Sequence, residues 1–333
     1  MKKMHKLLSA MLSAAVCAGM LAGCSGGSSG SAAGSQTASG SAGGADYTVG
    51  LIQYMEHTSL DEIRTALEQR LQSQAEAAGI TVDVQVQNAQ GDPTNISNIC
   101  NKFVGEGVDL IVAIATPAAA GAAGVTEDIP IVFSAVTDPV TDLQLDSLDA
   151  PGGNVTGTSD SIPVEKIFEV AAELTPEAKN FGLLYCTSEP SSAGVIADAK
   201  AYLDANGGSY TEATVTNTSE VQQAAQTLVE KCDAIFIPID NTVATAMSVV
   251  AEVANEAKIP VYVSADSMVK DGGLASAGVN YTNLGEKTAD MVLEVLQGAD
   301  PATMPVQTMT DVNVVVNEET AAAIGVDVSA YVN

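Results

Sequence analysis

The chain has 333 residues, and its 13 Lys and Arg residues stand against 41 Asp and Glu residues, a formal net charge of −28 at pH 7. Binding to a nucleic-acid backbone, or adhesion to anionic lipid headgroups, requires the opposite charge, so neither is expected as a partner. The length suits two lobes better than one compact core.

The first 45 residues predict export and anchoring. Three lysines precede an apolar run over residues 7–21, which is too short to span a bilayer comfortably, and the sequence LAGC ends at Cys24. This pattern resembles a bacterial lipoprotein signal, which implies cleavage of residues 1–23 and a lipid such as palmitate on Cys24. Residues 24–45 then carry the lipidated cysteine and a Gly/Ser/Ala tether. An ordinary signal peptide with an incidental cysteine is the alternative.

Apolar strands alternate with helices over the rest of the chain, which predicts an α/β fold with parallel sheets covered on both faces. Strands are predicted at residues 48–53, 81–88, 110–115, 131–135, 180–185, 209–215, 234–238, 261–264 and 274–278. Helices are predicted at residues 59–78, 95–105, 163–174, 193–206, 219–231, 243–257 and 284–297.

One sequence phrase occurs twice and suggests a duplicated half. Residues 109–124 (DLIVAIATPAAAGAAG) predict a buried strand and then an alanine-rich helix, with Thr116 as N-cap and Pro117 in the first turn. Residues 233–247 (DAIFIPIDNTVATAM) repeat this design at an offset of 124, so that Thr116 matches Asp240. A helix N-terminus at the carboxyl end of a parallel strand binds small anionic groups. Two such halves predict a cleft between two lobes, with a hinge in the glycine-rich residues 151–157.

Motifs of catalysis are missing from the sequence. After the signal, His57 is the only histidine, and there is no Walker loop, no GxGxxG after the first strand and no HExxH. Cys100, Cys186 and Cys232 are odd in number and lack metal-site spacing, so buried, unreactive thiols are expected. We therefore expect no enzyme activity, no cofactor and no metal.

Several motifs together resemble a known family. They are QYMEHTSLD (53–61), VQNAQGDP (86–93), IATPAA (114–119), AVTDPV (135–140), PGGNVTG (151–157), DNTV (240–243) and VANEAKIP (253–260). They resemble the ABC-transporter substrate-binding proteins of the tryptophan/tyrosine/phenylalanine-binding group, in the type I periplasmic-binding-protein-like superfamily, from Tyr47 to about Val316.

This resemblance implies a fold and a role. It implies two Rossmann-like lobes joined by three crossovers, which close on a small ligand and deliver it to an ABC permease without catalysis. The lobes are interleaved in this pattern. The N-terminal lobe would comprise residues 46–155 and about 281–305, and the C-terminal lobe residues 156–280 and about 306–333.

Candidate ligand-binding residues of the N-terminal lobe lie at predicted strand ends. The Thr116 hydroxyl, Pro117 and the N–H groups of Ala118 and Ala119 offer a helix N-terminus to an α-carboxylate. Thr137 and Asp138 end the next strand, although Asp138 caps the turn before Pro139 on an equally good interpretation. The entrance to the cleft is expected to be lined by Tyr54, Glu56 and His57.

Candidates in the C-terminal lobe follow the same rule. Asp240 and Asp266 end two adjacent strands, and one of them is expected to pair with an α-ammonium group. Asn241 is expected either to bind the ligand or to cap its helix. Further donors, or ordinary loop and cap residues, are Ser188, Ser191 and Ser192.

These groups suit a zwitterion, so an amino acid is the expected ligand, and the family favours Phe, Tyr or Trp. Sugar sites usually stack rings on aromatic side chains, whereas this chain has no Trp and few aromatic residues. We expect an extracytoplasmic, membrane-anchored monomer whose partners are the ligand and the permease. The alternative is a sensor or receptor lipoprotein for another small solute, such as a sugar, nucleoside or peptide.

Overall fold

The computed structural model of the chain describes residues 45–309 and 313–332. The predicted signal, the predicted lipidation site Cys24 and almost all of the predicted tether lie outside the described residues. Within the described ranges, no helix combines the length and the apolar character needed to cross a bilayer.

Twelve strands and twelve α-helices follow one another along this part of the chain. The strands are β1 (Tyr47–Gln53), β2 (Val82–Asn88), β3 (Leu110–Ile114), β4 (Ile131–Ser134), β5 (Val155–Ser159), β6 (Asn180–Cys186), β7 (Ser209–Val215), β8 (Ala234–Ile237), β9 (Val261–Ala265), β10 (Ala275–Val279), β11 (Gln307–Thr308) and β12 (Asn313–Val316). The helices are α1 (Thr58–Ala78), α2 (Pro93–Glu106), α3 (Thr116–Ala123), α4 (Pro139–Asp142), α5 (Glu165–Leu174), α6 (Pro190–Ala205), α7 (Val221–Val229), α8 (Asn241–Thr245), α9 (Met247–Ala257), α10 (Asp266–Lys270), α11 (Tyr281–Leu296) and α12 (Glu318–Ile324).

The strands form two six-stranded sheets of matching design. Their orders are β11-β5-β4-β3-β1-β2 and β12-β10-β9-β8-β6-β7. All neighbouring strands are parallel except β10 and β12, which pair antiparallel. Apart from the edge strands β11 and β12, the two orders correspond strand by strand, as the repeated phrase predicted. Every residue of β3 and β8 is buried, which is the pattern of parallel strands covered on both faces.

Each sheet and the helices packed on it form one lobe, and the chain passes between the lobes three times. We call the first sheet with α1–α4 and α11 the N-terminal lobe, and the second sheet with α5–α10 and α12 the C-terminal lobe. The crossovers follow β5, β10 and β11. The predicted boundaries at residues 155 and 305 come too early, because β5 pairs with β4 and β11 pairs with β5 within the first sheet.

Helix α11 returns to the N-terminal lobe and packs along α1. Gly285 allows this close approach, since a Cβ atom there would lie 2.4 Å from the carbonyl oxygen of Ile63. The predicted helix at residues 243–257 is two helices in the structure, α8 and α9, because the backbone leaves helical geometry at Ala246 (φ −108°, ψ 16°).

Candidate functional site

A small cavity of about 20 Å³ lies where the carboxyl ends of the two sheets face each other. Its apolar wall includes Leu60, Ala135, Ile239, Ala244 and Met268. Its polar wall comes from both lobes and comprises His57, Ser59, Thr116, Asp160, Ser191, Asp240, Asn241 and Tyr281. Five of these eight residues are among the predicted site residues, so the strand-end rule found most of the polar wall.

Three polar atoms of this wall are buried without a hydrogen-bond partner. They are the Thr116 Oγ1 atom, the Ser191 Oγ atom and the His57 Nδ1 atom. Buried polar groups in folded proteins are nearly always paired, because an unpaired one loses its hydration without compensation. Three unpaired groups around a single cavity, contributed by both lobes, make it the candidate ligand site.

The Thr116 hydroxyl is free because the helix cap falls one residue earlier than predicted. Ala115 occupies the N-cap position of α3, with φ 80° and ψ 154°, so Thr116 is the first helical residue and caps nothing. The Ala119 N–H group donates to the Ala115 carbonyl oxygen at 3.0 Å, which removes it from the predicted donor set. Ala118 is buried in the apolar core and Pro117 begins the helix half-buried, so both position the turn without facing the cavity.

Asp160, which the sequence reasoning missed, lies at the crossover after β5. Its carboxylate is fully buried and accepts from the Thr137 hydroxyl (Oδ1, 2.9 Å) and from the Tyr281 hydroxyl (Oδ2, 3.0 Å). No lysine or arginine of the described residues forms an ion pair with it, and burial raises its pKa. Thr137 therefore contributes to the cavity through its hydrogen bond to Asp160. The sequence signal that could have identified Asp160 is a polar residue directly after an extended segment.

Asp138 has no part in the cavity. It is exposed, and its side chain accepts from the Thr141 N–H group at 3.1 Å, so it caps α4 as the second interpretation proposed.

Asp240 lines the cavity, but its oxygens are already used. It accepts from the Cys186 N–H group (2.6 Å), the Val243 N–H group (2.9 Å) and the Ser192 hydroxyl (2.7 Å). These bonds cap α8 and tie it to the ends of β6 and the start of α6. Ser192 thus supports Asp240, whereas its neighbour Ser191 stays free at the cavity.

Asp266 offers the free carboxylate oxygen that Asp240 lacks. Its Oδ1 atom is buried without a partner, while its Oδ2 atom accepts from the Asn280 side chain at 3.4 Å. It begins α10 between Ala265 and Met268, both of which line the cavity, and burial raises its pKa. Asp160 thus lines the cavity itself, whereas Asp266 lies beside residues that line it.

His57 joins the two lobes through a chain of hydrogen bonds. Its Nε2 atom lies 3.1 Å from the Asn241 Oδ1 atom, and the Asn241 Nδ2 atom donates to Glu189 Oε2 at 3.0 Å. The Thr242 hydroxyl donates to Glu189 Oε1 at 3.0 Å. Burial, followed by the charge of Asp240, raises the pKa of Glu189 to about 7, and burial lowers the pKa of His57. Glu189 was missed, although it directly precedes a helix-starting proline.

A larger groove of about 580 Å³ opens beside the cavity between the lobes. It is lined by the predicted residues Tyr54, Glu56 and Ser188, together with polar residues that follow β2 and β7. Burial raises the pKa of Tyr54 to about 12. Thr242 faces this groove while the preceding Asn241 faces the cavity, so α8 separates the two spaces.

The lobes touch each other along the cleft. The Ser59 and Ser267 hydroxyls lie 2.5 Å apart, and the Lys270 ammonium lies 2.6 Å from the Glu62 carboxylate. Because the cavity measures only about 20 Å³, it has no room for a solute larger than a water molecule unless the lobes move apart.

Chemically, the site offers acceptors for a cation and donors for an anion. Its wall carries the Asp160 and Asp240 carboxylates together with the Thr116 and Ser191 hydroxyls. The described residues contain no cluster of His, Cys, Asp and Glu with metal-site geometry. Cys100, Cys186 and Cys232 are buried free thiols, as expected.

Solved structures of similar sequence share this architecture. The ABC domain of Streptococcus pneumoniae in complex with L-Trp is 36% identical, with a TM-score of 0.80, covering 85% of this chain and 95% of that one. A ligand-free, open substrate-binding protein with adhesive properties from Clostridium difficile is 38% identical, with a TM-score of 0.67, covering 86% and 98%. At nearly equal identity, the present structure is thus closer to the Trp complex than to the open form. The predicted two-lobed, type I periplasmic-binding-protein fold is confirmed.

Sequence comparison gives the same relationship. A protein named tyrosine-binding protein, from Clostridioides difficile strain R20291, is 39% identical over 276 residues, which are 83% of this chain and 80% of that protein. Residues 48–333 match the family described as ABC transporter substrate binding protein. The chain belongs to the ABC transporter substrate-binding protein family.

Proposed function

We propose that this ABC transporter substrate-binding protein takes up an aromatic L-amino acid between its lobes and passes it to a membrane permease, without chemical change. The observation that carries the proposal is the set of unpaired, buried polar atoms on Thr116, Ser191 and His57 around one interlobe cavity. The relatives that are named for tyrosine or hold L-Trp support the aromatic side chain.

The head group of the ligand fits the hinge end of the cleft. Asp160 and Asp266 are buried carboxylates without ion-pair partners among the described residues, so an α-ammonium group would compensate their charge. The Thr116 and Ser191 hydroxyls, in the first turns of α3 and α6, would bind the α-carboxylate. In this pose Asp240 shapes the site through its hydrogen bonds and does not pair with the ligand.

The two lobes would act as rigid bodies that rotate about the three crossovers. Closure brings His57, Ser59 and Lys270 against their partners on the opposite lobe, at the distances found here. Leu60, Met268 and their apolar neighbours would cover the ligand side chain.

The protein would work outside the cytoplasm as a monomer held to the bacterial cell membrane by a lipid on Cys24. The N-terminal sequence supports this part of the proposal. Membrane fractionation tests it: a Cys24→Ala protein is expected in the soluble fraction with ligand binding intact. A variant that stays in the membrane fraction would contradict the anchor.

The ligand is tested by thermal shift on the chain after unfolding and refolding, which removes any solute carried through purification. The panel is the twenty amino acids, common sugars, nucleosides and short peptides, together with tyramine and 3-(4-hydroxyphenyl)propionate. A ligand at a hundred times its Kd adds about 2.7 kcal/mol of stability. We expect shifts with aromatic amino acids and none with the two analogues, each of which lacks one charge of the zwitterion. A shift with sugars, nucleosides or peptides alone would refute the amino-acid assignment.

A further inference from the structure

The hydrogen bonds around Glu189 define the direction of every bond up to the cavity. A carboxylate only accepts, so Glu189 requires the donor side of the Asn241 amide, which is the Nδ2 atom at 3.0 Å. The Asn241 Oδ1 atom therefore faces His57, and the His57 Nε2 atom at 3.1 Å must carry the hydrogen. Protonated Glu189 preserves this order, since its proton can reside on Oε1 and donate to the Thr242 hydroxyl.

His57 is consequently a neutral Nε2–H tautomer whose Nδ1 atom is a hydrogen-bond acceptor. That atom is buried, has no partner, and belongs to a side chain that lines the cavity. A donor on the ligand must supply the missing hydrogen bond if every buried polar group of the closed site is to have a partner.

The strand order separates this acceptor from Asp160. Asp160 follows β5, whereas His57 lies beyond the end of β1 at the start of α1, and β4 and β3 lie between β5 and β1. The two side chains therefore reach the same cavity from different strands. An α-ammonium group held at Asp160 leaves the His57 Nδ1 atom to another donor of the ligand.

We propose that His57, oriented by Asn241 and Glu189, is the specificity-determining residue that accepts a hydrogen bond from the ligand side chain. The phenol hydroxyl of Tyr and the indole N–H of Trp supply that donor, whereas Phe does not. The inference rests on the proposed function, since it concerns the side chain of the same ligand. A site with a buried group that hydrogen-bonds its substrate discriminates strongly against the analogue that lacks the partner, here by at least about tenfold.

Isothermal titration calorimetry on the refolded full chain tests the proposal with four ligands. L-Tyr and L-Trp carry the donor, while L-Phe and 4-fluoro-L-phenylalanine lack it at similar size. We expect the first pair to bind at least about tenfold more tightly. In His57→Leu the Tyr-to-Phe ratio is expected to fall below about threefold. The matched control Ser267→Ala removes another interlobe hydrogen bond and should weaken all four ligands equally, leaving the ratio unchanged.

The outcomes separate the inference from the proposed function. If aromatic amino acids bind but Tyr and Phe bind equally, the inference is wrong and the function stands. If His57→Leu weakens all four ligands to the same extent, the Nδ1 atom serves the head group and the inference is also wrong. If no aromatic amino acid binds, the proposed function itself fails.

A spectroscopic measurement avoids dependence on the stability of the variant. The chain has two histidines, so a His5→Gln background leaves His57 as the only one. With ¹⁵N-labelled histidine, the Nδ1 resonance should have the shift of an unprotonated nitrogen in both ligand complexes, and its shift should differ between the L-Tyr and L-Phe complexes. A protonated Nδ1 atom in the L-Tyr complex would overturn the tautomer and with it the proposal.

Discussion

Thr116 and Asp240 occupy the same position in the two lobes and serve opposite purposes. Each begins the segment after a central, buried strand, β3 in one lobe and β8 in the other. The Thr116 hydroxyl is buried and unpaired, whereas the Asp240 carboxylate accepts from two backbone N–H groups and one hydroxyl. The duplicated fold therefore does not duplicate the binding chemistry.

The difference arises in the backbone before each helix. Ala115 takes a left-handed conformation and fills the cap position, which moves Thr116 into the helix with its hydroxyl free. Asp240 has an extended conformation (φ −142°, ψ 109°) and is itself the cap. One lobe thus leaves a polar group for the ligand, and the other uses its polar group to hold the chain.

The largest effect on stability should come from replacing Asp240, the residue of this pair whose side chain holds the backbone. Asp240→Ala leaves buried donors on Cys186, Val243 and Ser192 without an acceptor, so we expect the free energy of unfolding to fall by about 4 kcal/mol. Urea denaturation of the ligand-free protein measures this. A loss below about 1 kcal/mol would mean that the carboxylate is free to serve the ligand.

The free energy of unfolding should depend on pH through Glu189, a buried carboxyl group near Asp240. The pKa of Glu189 is raised from 4.5 to about 7, so the folded state holds this proton more tightly than the unfolded state. Its contribution to stability is therefore complete below pH 4.5 and is lost as the pH rises through 7. Relative to Glu189→Gln, the wild type should lose about 2 to 3 kcal/mol between pH 4.5 and pH 8. Parallel pH profiles for the two proteins would contradict this.

Thr116→Val should show the converse behaviour, a change in binding without a change in folding. Valine keeps the shape but removes a hydroxyl that has no partner in the protein, so stability should change by less than about 0.5 kcal/mol. Affinity for L-Tyr or L-Trp should fall about tenfold. Calorimetry measures the affinity, and Thr116→Ser, which retains the hydroxyl, is the control that should bind normally.

The smallest expected effect concerns the alanine that frees Thr116. The conformation of Ala115, φ 80° and ψ 154°, belongs to a region that is essentially restricted to glycine. Ala115→Gly should therefore raise the free energy of unfolding by about 1 kcal/mol. The matched control is Ala120→Gly at an exposed position of the same helix, which should lower it by about 1 kcal/mol. Equal effects in the two variants would show that Ala115 is not strained.

The sequence predicted the parts of the fold that depend on local pattern. Apolar strands such as β3 and β8 and their helices were found close to their observed bounds. β5 is absent from the predicted strands, because its sequence VTGTS lacks an apolar run and it is a strand through its pairing with β4. The helix break at Ala246 also lacks a proline or glycine signal.

The site was predictable as a set of positions but not as a set of roles. The rule that polar residues follow strand ends found Thr116, Ser191 and Asn241. The rule did not predict that the Asp138 side chain caps its own turn. It also did not predict that Asp160 is buried against Tyr281, which is more than a hundred residues away in the sequence. Such roles depend on which partners the tertiary fold supplies, and no local sequence pattern contains that information.

The return of α11 to the N-terminal lobe has a consequence for folding during synthesis. The packing of α1 on α11 joins residues 58–78 to residues 281–296, so this lobe completes its helical layer only when nearly the whole chain is available. Contacts at such sequence separation slow folding, because the loop between them must close first. A nascent chain that ends before residue 281 would thus lack α11, one helix of this layer. The N-terminal lobe would complete its fold only after most of the C-terminal lobe had been synthesised.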